Sequence, residues 1–172
     1  MTAIWLVSLQ MKNAGIVDIF WGPGFALAAV VYGINSPDGF STRKMLVVLL
    51  VCAWALRLGW HIGRRNLGHD EDYRYQEWRK ANGDSWWWRS FFKVFALQGL
   101  LMWIISTPLM VAQYSPTPAS LTVWDLLGVI VWVIGFTFEA VGDWQLTQFK
   151  ADPANKGKVM RSGLWRYTRH PN

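Results

Sequence analysis

Four apolar blocks constrain this chain more than anything else in it. Residues 16–34, 45–62, 91–111 and 123–146 each reach or approach the roughly 20 apolar residues that carry a helix across the hydrocarbon core of a bilayer. The fold class that follows is all-α: a polytopic membrane helix bundle with about four transmembrane helices, in a single transmembrane domain covering 1–172. Gly22-Pro23-Gly24 interrupts the first block and predicts a kink, tolerable in a membrane helix because neighbours re-satisfy the freed backbone groups. Residues 2–9 are too short to span and read as the end of a helix or as an interfacial segment.

Composition agrees with the blocks. Charged residues make up 16% of the chain against 52% hydrophobic, where a soluble domain runs nearer a quarter charged. The net charge of +6 is spread over segments flanking the apolar blocks, with no recognition-helix or zinc-finger pattern beside it. Such a distribution points to anionic lipid headgroups, not nucleic acid. Cys52 is the single cysteine, so no intrachain disulfide can form. No signal peptide with a cleavage site is evident.

Lys and Arg also set the orientation. Arg64, Arg65, Arg74, Arg79, Lys80, Arg89 and Lys93 follow the second block, and Lys150, Lys156, Lys158, Arg161, Arg166 and Arg169 follow the fourth. The link after the third block carries no cation, and that after the first only Arg43 and Lys44. By the positive-inside rule the basic segments, 64–90 and 147–172, face the cytoplasm. Trp86, Trp87 and Trp88 beside Phe91 and Phe92 fit an aromatic belt at the interface.

Ionisable side chains within apolar spans cost a few kcal/mol on insertion scales and mark function by default. Asp18, Arg57, His61, Glu139 and Asp143 lie in or near the spans. Arg57, His61 and Arg64 stand at i, i+4 and i+7, on one face of the second helix. Glu139, Asp143 and Lys150 share a face if the fourth helix continues through residue 150. One reading is that the two stripes pair and hold helices together; the other is that they form a site near the cytoplasmic ends, where a water-soluble cofactor can enter. The stretch "LGHDEDYRYQEWRK" offers Arg74 and Arg79 as phosphate contacts, or is simply a solvated amphipathic segment. Its His69, Asp70, Glu71 and Asp72 do not make a metal site, because no second histidine stands at ligand spacing. No G-x-S-x-G, H-E-x-x-H or Rossmann fingerprint is present.

The segment "FEAVGDWQLTQFKADPANKGKVMRSGLWRYTRHPN", with "GIVDIFWGPGF", "GHDEDYRY" and "SFFKVFALQ" upstream, resembles the steroid 5-alpha-reductase family, in particular its bacterial branch of uncharacterised multi-spanning membrane proteins. The resemblance covers nearly the whole chain. It implies about seven transmembrane helices in a complete member, a place in the bacterial inner membrane, and NADPH held in the cytoplasmic half. The activity implied is reduction of a conjugated carbon–carbon double bond in a lipid or steroid-like substrate, a hydrophobic small molecule. Carried over, Asp143 and Lys150 match positions that bind the nicotinamide nucleotide, Pro171 and Asn172 match the family's Pro-Asn, and Glu139 stands where the steroid enzymes have asparagine. His61, three residues before Arg64, aligns with the family's catalytic tyrosine, and the Gln-Glu pair of the steroid enzymes has no clear counterpart. His61 is therefore the catalytic candidate, as a proton donor to the developing enolate. Arg64, Arg74, Glu139, Asp143, Lys150, Arg169, His170 and Asn172 are the cofactor candidates.

Two other readings stay open. "RHPN" is similar to the R-H-P-x-Y of isoprenylcysteine carboxyl methyltransferases, which would make the cofactor S-adenosylmethionine. A non-catalytic membrane binding module is the other. Relatives in the family extend beyond both ends of this sequence, so the chain is expected to be a piece of the bundle with weak activity or none.

Overall fold

The computed structural model describes residues 1–168, and every regular element among them is helical. The chain forms two compact units, Met1–Ser120 and Leu121–Asn172. The first contains α1 (Thr2–Met11), α2 (Ile16–Ile19), α3 (Trp21–Ile34), α4 (Ser41–Asn66), α5 (Tyr73–Asn82), α6 (Trp86–Ser90) and α7 (Leu97–Tyr114). A π-helical segment, Phe91–Ala96, joins α6 to α7. The second unit is α8 (Val123–Ala151) followed by two short 3₁₀ turns, Pro153–Asn155 and Gly163–Arg166.

Three helical stretches among the described residues are long and apolar enough to cross a membrane: Ser41–Asn66, the run Tyr73–Tyr114, and Val123–Ala151. They contain the expected second, third and fourth spans, extended at their ends. The first expected span is different. It breaks at Phe20, whose φ of −86° and ψ of −1° leave the helical path, and its remaining 14-residue helix α3 is an apolar helix shorter than a full span. At 1.5 Å per residue α3 measures about 21 Å, against the roughly 30 Å of a hydrocarbon core. Gly22-Pro23-Gly24, where a kink is expected, lies just after this break, at the start of α3. Pro23 falls in the first turn of α3, where its missing N–H removes no intrahelical bond, and Gly24 N–H already reaches Phe20 O at 2.9 Å. Residues 73–90, expected as part of a basic loop, are mostly helical.

Small residues bring α3 and α4 together. A Cβ on Gly22 would stand 2.9 Å from Ala55 O, and one on Gly59 would stand 3.3 Å from the Pro23 ring. α3 also packs on α7, where the Tyr32 and Ser106 hydroxyls share a 2.9 Å hydrogen bond. Such contacts matter in lipid, where tails compete equally for apolar surface and helices associate through close packing and polar bonds. The core of the unit is Ala14, Val17, Tyr75, Trp86, Val94 and Phe95, flanked by Trp5 and Phe91. Trp86 thus belongs to the core, while Trp87 and Trp88 are exposed; only these two suit an interfacial belt. Leu56, Trp103 and Ile105 on the long helices are exposed as well, the distribution of a lipid-facing surface. Arg43 donates to Pro118 O and Ser120 O, and Lys44 to Ser36 O, so both cations of the first link bond backbone carbonyls.

α8 begins with a capping box, in which Thr122 Oγ1 and N–H both donate to the Asp125 carboxylate at 2.9 and 2.8 Å. It runs unbroken through Lys150, so the register required to align Glu139, Asp143 and Lys150 exists.

Candidate functional site

The second unit builds a basin where its chain folds back on α8. Asp152 ends the helix and its carboxylate accepts from Ala154 N–H at 2.9 Å, while Asn155 Nδ2 donates to Phe149 O. Gly157 (φ +78°) turns the chain, and Gly163 (φ +61°) brings it beside α8, where a Cβ would strike the Gln145 side chain. Leu164 N–H then donates to Gln145 Oε1 at 2.9 Å and Trp165 Nε1 to Gly142 O at 3.0 Å. The open hollow so formed has a volume of about 1400 Å³. Lys150, Lys156, Lys158, Arg161 and Arg166 line it, Phe149, Trp165 and Tyr167 supply aromatic surface, and Asp152 is the one acidic residue among the described lining residues. Clustered cations with aromatic faces can neutralise phosphates and stack a planar ring. The volume exceeds the roughly 300–1,000 Å³ of drug-sized ligand sites, leaving room for an extended anion.

Of the cofactor candidates, Lys150 lines this basin. Asp143 is buried at 4% exposure one residue from Gly142, whose carbonyl Trp165 holds. It lies seven residues, or about 10 Å of helix, before Lys150 on nearly the same face. Glu139 is half-buried a turn further back. Arg169, His170 and Asn172 lie outside the described residues.

His61 and Arg64 belong to the first unit, on α4. Ala55, Gly59 and Gly63 face α2 and α3, so by the 100° helical step Arg57, His61 and Arg64 emerge on the other side of α4. His61 and Arg57 are half-buried, and the Arg64 guanidinium lies 5.7 Å from the Trp60 ring centroid.

Arg74 and Arg79 are engaged within the protein. Arg74 donates to both Asp72 oxygens, at 2.9 and 3.2 Å, and stands 3.6 Å from Asp18. The Arg74 bonds hold the Asp72 carboxyl below its ordinary range. Arg79 donates twice to Glu71, at 3.0 and 2.9 Å, and once to Lys12 O. These bonds dock α5 on the link between α1 and α2. Both arginines expected as phosphate contacts thus take part in a structural clamp, with side chains that remain partly exposed.

Sequence reasoning passed over the centre of that clamp. Tyr75, 4% exposed, donates its O–H to Asp18 Oδ1 at 3.0 Å, and Glu71 accepts from Ala14 N–H at 2.6 Å. Asp18 in an apolar block was a visible signal; nothing local distinguishes Tyr75 from the exposed Tyr73 as its partner. Gln113, fully buried near Gly33, was likewise unmarked.

No curated protein and no solved structure matches the chain. A family described as "protein of unknown function (DUF1295)" matches residues 4–172, and the chain belongs to that family of membrane proteins.

Proposed function

We propose that this chain is the cofactor-binding part of a membrane-embedded, NADPH-dependent reductase acting on a conjugated carbon–carbon double bond in a lipid or steroid-like substrate. The observation that carries the proposal is the basin of the second unit, with five cations and three aromatic rings around one carboxylate. A dinucleotide phosphate is a polyanion with planar bases, and the lining fits it: Lys and Arg for phosphates, Trp165 or Tyr167 for a base. The resemblance of "FEAVGDWQLTQFKADPANKGKVMRSGLWRYTRHPN" to the steroid 5-alpha-reductase family supports the same reading.

NADPH, when bound, supplies a hydride. The residues of this chain hold and shield it. Lys150 and Arg161 would neutralise phosphate charge, and Asp143, next to the Gly142 carbonyl that Trp165 holds, would be the acidic contact that the family resemblance implies for the nicotinamide nucleotide. His61 carries a proton on an imidazole nitrogen for the substrate oxygen that gains negative charge. In this reading the basic segments lie on the cytoplasmic side, where NADPH is available.

The test uses intrinsic tryptophan fluorescence, to which Trp165 in the basin contributes, with Trp165→Phe as the control that isolates its share. NADPH, NADH and S-adenosylmethionine are titrated into detergent-solubilised protein. Saturable quenching by NADPH is expected, weakened roughly tenfold in Lys150→Ala through loss of a charge-assisted contact, and weakened again in Asp143→Ala. Saturation by S-adenosylmethionine alone would replace the reductase with a methyltransferase. Absence of saturation with all three would remove the cofactor reading from this chain.

A further inference from the structure

A second cavity, of about 470 Å³, lies wholly in the first unit between α4 and the π-helical start of α7. Its two ends differ in chemistry. Arg65, Arg74 and Lys93 surround one end, with Ile62, Leu97 and Leu101 along the other. Lys93 on the π-helical segment is followed by Leu97 and Leu101 on α7, so the lining passes from charge to hydrocarbon along the chain. Lys93 Nζ sits 5.7 Å from the centroid of the Trp78 ring, and Trp78 is exposed, as an aromatic at a membrane–water boundary is. The acid in the wall, Asp18, is already met by the Tyr75 hydroxyl and by Arg74. Arg65 and Lys93 have no carboxylate within ion-pair distance among the described residues.

We infer that this groove is a binding site for an anionic phospholipid, its headgroup phosphate against Arg65 and Lys93 and an acyl chain along Leu97 and Leu101. Charge complementarity selects the occupant. Two cations beyond those used in the clamp favour a headgroup with net negative charge over a zwitterionic one. The apolar stripe favours an amphiphile over a soluble anion, which would gain nothing from it. Arg74 contributes only as a bystander, because it is bonded twice to Asp72 and stands 3.6 Å from Asp18. All lining residues belong to the first unit, and the inference does not depend on what the basin of the second unit binds.

The experiment is native mass spectrometry of the detergent-solubilised chain titrated with dioleoylphosphatidylglycerol, with dioleoylphosphatidylcholine and with inorganic phosphate. Phosphatidylglycerol is expected to bind on the order of tenfold more tightly than phosphatidylcholine, given the attraction of each basic residue to anionic lipid. The double variant Arg65→Gln, Lys93→Gln is expected to bring the ratio close to one. Both side chains are exposed, so helical circular dichroism should be unchanged, and the headgroup ratio of the unaltered protein is a test independent of the variant. Equal binding of the two lipids would overturn the inference. So would a preference that survives the double substitution, or displacement of phosphatidylglycerol by millimolar phosphate, which would make the site one for soluble anions.

Discussion

The bond between Tyr75 and Asp18 should be measurable as a free energy. Tyr75→Phe removes one hydroxyl and leaves the ring where it is, packed among Val17, Trp86 and Phe95. The Asp18 carboxylate, with a side chain 21% exposed, then keeps Arg74 at 3.6 Å, beyond hydrogen-bond range. A hydrogen bond to a charged group is worth about 1.5–3 kcal/mol, and a half-buried acceptor that loses it recovers part through water. A loss of about 1.5–2 kcal/mol is therefore expected for Tyr75→Phe. The variant should still fold, because Glu71 with Ala14 N–H and Arg79 with Lys12 O hold the same docking surface. The assay is unfolding by sodium dodecyl sulfate in mixed micelles, on the unaltered chain, Tyr75→Phe, Asp18→Ala and the double variant. If the two groups act through one bond, the double variant costs less than the sum of the singles, with a coupling of about 1 kcal/mol or more. Additive losses, or a Tyr75→Phe effect below about 0.5 kcal/mol, would refute the claim that this bond docks α5.

Two further outcomes follow from local geometry. Gly22→Ala places a methyl 2.9 Å from Ala55 O and 3.1 Å from Ala55 Cα, backbone that cannot step aside; a destabilisation of about 1–3 kcal/mol should exceed the helix-propensity gain of about 1 kcal/mol, whereas Gly128→Ala, with nothing within 4 Å, should be neutral or stabilising in the same unfolding assay. Asp72 caps α5 and its carboxyl is held low by Arg74: a depressed folded value stabilises above the ordinary 3.8 and loses that contribution as pH falls through the folded value. Unfolding midpoints measured from pH 6 downward should fall by a fraction of a kcal/mol below about pH 4, since the pair is largely solvated, and Asp72→Asn should flatten that part of the profile.

How much of this was legible in the sequence depended on the range of the forces. The register of α8 was legible because a 3.6-residue period needs only a continuous apolar run and a cap, and Thr122 with Asp125 supplies the cap. The alignment of Asp143 with Lys150 came with it. The break at Phe20 was not legible. Glycine and proline drew attention to residues 22–24, but their position in the first turn made them harmless, and the chain departs from helix where Asp18 meets Tyr75, 57 residues later. The three tryptophans separate for the same reason: Trp86 faces the core and lies under Arg79, at 5.8 Å, while its neighbours do not. Arg74 and Arg79 read as phosphate ligands because guanidinium chemistry is visible in sequence and the carboxylates that occupy it, Asp72 and Glu71, looked like solvated acids.

The distribution of polar contacts bears on where chemistry can reside in the first unit. α3 meets α4 through Gly22 and Ala55 and meets α7 through one hydroxyl pair, so these interfaces need no charge. Charge is instead concentrated where α5 docks, and each of its strongest members has an assigned partner there: Asp18 with Tyr75, Asp72 with Arg74, Glu71 with Arg79. Neither set includes His61. Its stripe leaves α4 opposite Ala55, Gly59 and Gly63, on the side away from α2 and α3. Ionisable groups in such helices are costly, so substitutions at Arg57, His61 and Arg64 separate a helix-pairing role for the stripe from a binding one.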